Sequence, residues 1–182
     1  MPTWAWILIA IGAAIVIAAI AWSAYRKRRS GQLQDTFGAE YDRTVADAPT
    51  RREAEADLAE REKRHKEFEL KPLEPQARER YVERWRQTQE RFVDDPEGAV
   101  GEADGLIQEV MRERGYPVEN FDQRADDLSV DHPDVISNYR AAHATAIANE
   151  RGKATTEDLR NAVIHYRALF SEVLEAEPAE AR

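Results

Sequence analysis

Residues 4–29 read WAWILIAIGAAIVIAAIAWSAYRKRR: an uncharged apolar run to Ala24, then Tyr25 and the basic cluster Arg26, Lys27, Arg28 and Arg29. As a helix, residues 4–24 would be roughly 31 Å long, the thickness of a bilayer's hydrocarbon core. Trp4 and Trp6 mark one edge of the run, and Trp22 and Tyr25 the other. Such rings favour the headgroup level, where an apolar body and a polar tip are both satisfied. A cleaved signal peptide would carry its basic residues before a shorter apolar core. Here none precedes the run, so the pattern predicts a retained single-pass anchor. The positive-inside rule then places residues 26–29 in the cytoplasm, the few residues before Trp4 outside, and the C-terminal domain in the cytoplasm. A cleaved leader would instead give a periplasmic or secreted domain. Ala10, Ala14 and Ala18 repeat at four-residue spacing, but without a GxxxG pair they predict no helix dimer.

The rest of the chain is acidic. Of 182 residues, 34% are charged, with a formal net charge of −9. Without residues 26–29, 22 basic residues face 35 acidic ones, a balance of −13. That charge opposes nucleic-acid binding and favours a protein partner with a basic surface. The absence of cysteine excludes disulfides, thiolate metal sites and a cysteine nucleophile.

Four segments follow from composition and periodicity. Residues 1–30 form the anchor with its stop-transfer cluster. Residues 31–72 form a linker and a charged helix, the linker covering 30–49 because of Gly31, Gly38 and Pro49, with a short turn around 37–41. The helix, over 51–70, has acid–base pairs at four-residue spacing (Asp57 with Arg61, Glu60 with Arg64, Glu62 with Lys66) and a thin apolar stripe of Ala54, Leu58 and Phe68. It reads equally as a stalk or as a solvated helix lying along the domain. Residues 73–174 form a helical bundle, and 175–182 a polar tail.

Within the bundle, Pro75 opens a helix to about Val93, and Asp95-Pro96 starts the next. There Val100, Ala103, Leu106, Ile107, Val110 and Met111 make the clearest amphipathic stripe, and Gly115 ends it. A short helix spans 121–128. Asp131-His132-Pro133 is expected to start another, running to Arg151. The last opens on Thr155-Thr156-Glu157-Asp158, a capping-box pattern. No alternating run predicts a strand. The fold class is therefore all-α: one N-terminal transmembrane helix, a charged helix and a soluble helical bundle.

No catalytic constellation is identifiable. The serines lie in no GxSxG or SxxK context, and Gly98, Gly101 and Gly105 fit no phosphate-loop fingerprint. His143 lies on an apolar stripe, and His165 sits on the following helix. The two imidazoles are candidates for a metal or acid–base pair, but no HExxH or Glu-x-x-His motif accompanies them. Asp131 and His132, with Asp126, Asp127 and Asp134, form an acidic stretch without the EF-hand pattern, and Asp131 reads more simply as a helix cap. No cofactor is expected. Tyr116 and Pro117, in a loop, are the expected exposed partner contact.

RFVDDPEGAVGEADGLIQEVMRERGYP, beginning at Arg91, and DQRADDLSVDHPDVISNYRAAHA, beginning at Asp122, resemble a family of uncharacterised bacterial proteins of actinobacterial type with an N-terminal membrane helix. The apolar start and charged middle helix extend that resemblance over most of the chain. It implies a bacterial inner membrane and assigns no activity. Together these observations predict a membrane-anchored, non-enzymatic interaction or scaffold module. The rival reading is a ligand- or metal-sensing helical domain centred on His143, His165 and Tyr139.

Overall fold

The computed structural model describes residues 3–175, with side chains from residue 12 onward. Among these residues the protein is all-α, with eight helices in the order α1 (Thr3–Phe37), α2 (Ala39–Asp47), α3 (Arg51–His65), α4 (Pro75–Arg91), α5 (Pro96–Arg114), α6 (Phe121–Asp131), α7 (Ile136–Glu150) and α8 (Thr156–Glu175). Among the described residues no helix is long and apolar enough to cross a membrane. The interface positions Trp4 and Trp6 fall outside the described side chains, and the polar tail beyond Glu175 falls outside the described residues.

The linker expected over 30–49 is helical instead. Helix α1 runs without a break through the basic cluster to Phe37. Gly38, at φ +48°, turns the chain, and α2 begins at once. Leu33, Phe37 and Tyr41, spaced by four residues, bury with Leu58 of α3 in a small core, against which Val45 and Val130 pack. That burial outweighs the helix-breaking tendency of Gly31, a cost of about 1 kcal/mol.

Helix α3 is no free stalk. It packs on α1, α2 and α6, burying Ala54, Leu58 and Arg61. Thr50 caps it, its Oγ1 accepting from Glu53 N at 3.2 Å. The main core surrounds α5, whose Val100, Ala103, Leu106, Ile107, Val110 and Met111 are all buried as the stripe predicts. Helices α4 and α8 pack on it, and α7 packs on α8. Trp85 of α4 stacks on Phe170 of α8 with ring centroids 4.7 Å apart.

The helix starts follow their sequence signals, with one exception, and two ends differ: α3 stops at His65 instead of reaching 70, and α6 runs on to Asp131 instead of stopping at 128. Asp95 caps α5 by accepting from Gly98 N at 2.9 Å. At α8, Thr155 and Asp158 exchange bonds: Asp158 N donates to Thr155 Oγ1 at 3.2 Å, and Thr155 N donates to Asp158 Oδ2 at 2.8 Å. The exception is the expected start at 131–133. Asp131 ends α6, and His132 N closes that helix on Leu128 O at 2.8 Å. Helix α7 starts only at Ile136, so Asp131 is not its cap.

Gly115 is constrained twice. Its φ of +98° is left-handed, and a Cβ there would lie 2.6 Å from the Glu69 carbonyl oxygen. Gly152, at φ +63°, has nothing within 4 Å. Gly115→Ala should therefore cost about 2–4 kcal/mol, from strain plus a backbone clash. Gly152→Ala should cost only the left-handed penalty of about 1 kcal/mol. Urea unfolding of the full chain in detergent checks the order, and equal losses would contradict it.

Candidate functional site

Helix α1 leaves the domain as an apolar rod. Ile15, Val16, Ile17 and Ile20 are each more than half exposed, as are Trp22 at 66% and Tyr25 at 58%. At about 100° per residue these side chains point all round the helix, so no single face seeks a protein partner. Ser23 turns its hydroxyl back to Ile20 O at 2.9 Å, which satisfies it without water. One turn further, Arg26, Lys27, Arg28 and Arg29 are exposed.

Just below this collar, polar side chains fasten α1 to α3. Glu55 Oε1 accepts from Ser30 Oγ at 2.6 Å, from Tyr41 Oη at 2.9 Å and from Arg51 Nε at 2.9 Å. Arg51 Nη2 also donates to Ser30 Oγ at 2.5 Å.

Deeper still lies a seam of ion pairs. Glu40 of α2 is 2% exposed. It accepts from Arg43 Nε at 2.9 Å, from Arg61 Nη1 of α3 at 3.0 Å and from Arg140 Nη2 of α7 at 2.9 Å. Burial works against its charge, but the Arg43 hydrogen bond and the charge of Arg140 prevail and hold its carboxyl below the ordinary value. Arg61 and Arg140 also reach Asp126 of α6, at 2.8 and 3.2 Å. Arg64, expected to pair with Glu60, goes instead to the fully buried Asp127 at 3.0 Å.

The seam ends at Asp131. Its Oδ2 lies 2.6 Å from His65 Nε2 and accepts from Tyr116 Oη at 2.5 Å. Burial opposes this carboxylate, yet its bonds to His65 and Tyr116 hold its pKa down. The Tyr116 phenol is pushed up by burial and then by the Asp131 charge. At 3% exposure, Tyr116 is not the exposed contact expected of it. Its hydroxyl has a buried acceptor, and its ring lies against Phe68. Pro117 is half-buried. His132 is also buried, with Nδ1 3.8 Å from Glu172 Oε2.

The histidine candidates separate. His143 stacks on Phe121, ring centroids 3.6 Å apart. Tyr166, not His165, occupies the inner face of α8, where it is fully buried. Among the described residues no hydrogen bond or ion pair joins His143 to His165. Nor does any group of three or more His, Asp or Glu side chains there suit a metal ion. Asp104, which the periodicity reading passed over, faces this region. Burial first, and then the Asp104 charge, push the Tyr166 phenol up, and the same two causes push Tyr139 up to about 12. Asp104 Oδ2 accepts from Gln108 at 2.6 Å. Asp104 Oδ1, Tyr166 Oη and His143 Nδ1 are buried without a hydrogen-bond partner among the described residues.

His132 dictates a pH dependence. Burial lowers its pKa from 6.5 to about 4. Between those values the unfolded chain binds a proton that the folded chain refuses, so stability is full above 6.5 and falls as pH drops toward 4. The loss should approach about 3 kcal/mol. The Glu40 contribution is lost only at lower pH, as its carboxyl protonates below the ordinary 4.5. His132→Gln should make the upper window shallower, without flattening it because burial also lowers the His143 pKa, and should leave the acid limb, as read by urea unfolding across pH 4–7. An unchanged slope in the variant would refute the assignment.

No protein-family model, no curated protein and no solved structure matches the chain.

Proposed function

We propose that the protein is a single-pass, membrane-tethered, non-enzymatic interaction module. Its first helix crosses a bacterial inner membrane with the N-terminus outside and holds the acidic helical bundle at the cytoplasmic face. The observation that carries this reading is the unpartnered apolar surface of α1, exposed on every side from Ile15 to Tyr25. Each large aliphatic side chain left in water forgoes about 1.5–3 kcal/mol, and lipid is the surrounding that recovers it from all directions. Trp22 and Tyr25 beside Arg26, Lys27, Arg28 and Arg29 set the depth and the orientation. The remaining balance of −13 outside residues 26–29 favours a partner with a basic surface.

Alkaline phosphatase fused after Arg182 should be inactive, and a fluorescent protein at the same place should be bright. Active phosphatase would overturn the orientation. In pull-downs from detergent extract, partners of the wild-type bundle should be lost when exposed glutamates are reversed to lysine. Partners retained after reversal would defeat the electrostatic part.

A second reading, a ligand-sensing bundle, draws on the three unpartnered polar atoms of Asp104, Tyr166 and His143. Under the tethering reading, divalent metals and small polar metabolites leave the melting temperature unchanged. A saturable rise that Tyr166→Phe abolishes would favour sensing.

A further inference from the structure

The sequence places one basic cluster behind the apolar run, and the fold adds a second from a distant part of the chain. Helix α3 returns alongside α1, so that Arg51 and Arg52 stand beside Arg26, Lys27 and Arg29. Two adjoining clefts open there. One, of about 460 Å³, is lined by Arg26, Lys27, Gln34, Arg51 and Arg52 among others. The other, of about 350 Å³, is lined by Trp22, Tyr25, Arg26, Arg29, Leu33 and Arg52 among others. Arg26 and Arg52 border both.

Charge and shape in these clefts point the same way. Five cations face one carboxylate, Glu55, and that carboxylate is already engaged by Ser30, Tyr41 and Arg51. Arg26, Lys27, Arg29 and Arg52 make no ion pair among the described residues, while the neighbouring Arg61 is paired three ways. Guanidinium forks from two helices suit a phosphate diester, which offers two oxygens to bidentate donors. The second cleft has an apolar wall of Trp22, Tyr25, Leu33 and Ala56. A soluble anion has no use for such a wall, whereas the glycerol and first methylenes of a lipid do.

We propose that α1 and α3 together form a binding site for the headgroup of an anionic phospholipid in the adjoining leaflet. This rests on the membrane-tethering reading above. It goes beyond the general attraction of a stop-transfer cluster, because Arg51 and Arg52 lie outside that cluster and contribute only when the domain is folded. The site holds α3 at the bilayer surface and so orients the bundle.

The test uses the full chain in detergent micelles, with lipid occupancy read by native mass spectrometry as phosphatidylglycerol or phosphatidylcholine is titrated. Wild type should retain phosphatidylglycerol in preference. Arg52→Gln, at an exposed position with no bonded partner among the described residues, should weaken that preference about fivefold, the ratio for about 1 kcal/mol per basic side chain at the surface. Arg51→Gln with Arg52→Gln should weaken it further, and Arg167→Gln on α8 should not. Inorganic phosphate at millimolar concentration should not displace the lipid; displacement would mean a free-anion site and overturn the proposal. So would a preference unchanged in Arg52→Gln with the melting temperature preserved, or no preference in wild type. Alkaline carbonate extraction of cell membranes separates the two readings. Protein released by carbonate defeats the tether itself, whereas retained protein without lipid preference defeats only this site.

Discussion

Glu40 lies beneath three guanidiniums, those of Arg43 on its own helix, Arg61 on α3 and Arg140 on α7. Its side chain is 1% exposed, so the carboxylate has exchanged water for protein almost completely. Such burial is costly, and it persists only because the charge is matched and its oxygens are occupied. The geometry that satisfies it requires α2, α3 and α7 to meet at one point. The seam then runs on in register, with Arg61, Arg64 and His65 of α3 facing Asp126, Asp127 and Asp131 of α6. Hydrophobic contact between α1–α3 and the bundle is slight, with Val130 reaching the smaller core. Ion pairing therefore sets how the two parts fit, a specificity that greasy contact alone would leave loose.

Most helices were legible because their signals were local. The stripe of α5 buries the residues that its spacing names, and the Thr155–Asp158 box caps α8. The failures share one cause, which is partners far away in sequence. Gly31 and Gly38 suggested a linker, while Leu33, Phe37 and Tyr41 carried a four-residue stripe that was visible but had no evident surface to cover. Leu58 and Val130 supply that surface. Arg64 had an acid one turn away in Glu60, but the buried Asp127 needed a cation more. Burial creates that need, and spacing cannot report it.

The site was legible at one end only. The collar at 26–29 is a run of sequence, so it could be read directly. Arg51 and Arg52 stood in a helix read as a stalk or a solvated arm, and nothing local linked them to residue 26. Tyr116 looked exposed because Tyr-Pro in a loop usually is, whereas Asp131 Oδ2 draws its hydroxyl inward. His143 and His165 were candidates for a pair because their helices are neighbours, although no ligand motif accompanied them. The inner position on α8 belongs to Tyr166, one residue and about 100° further round the helix.

The continuity of α1 gives these pieces a mechanical relation. A 35-residue helix is about 52 Å long. In the proposed topology its upper part lies in lipid, and its last turns lie in the small core through Leu33 and Phe37. No loop separates the two, so the bundle is not free to swivel beneath the bilayer as it would on a flexible linker. The bonds from Ser30, Tyr41 and Arg51 to Glu55 stiffen the same level. A tilt of α1 thus passes into α3, and from α3 through the seam to α6 and α7. Cations placed where α1 and α3 run side by side act on both helices at once. A headgroup bound there would bias the tilt of the helix pair, and with it the face that the bundle turns toward a partner.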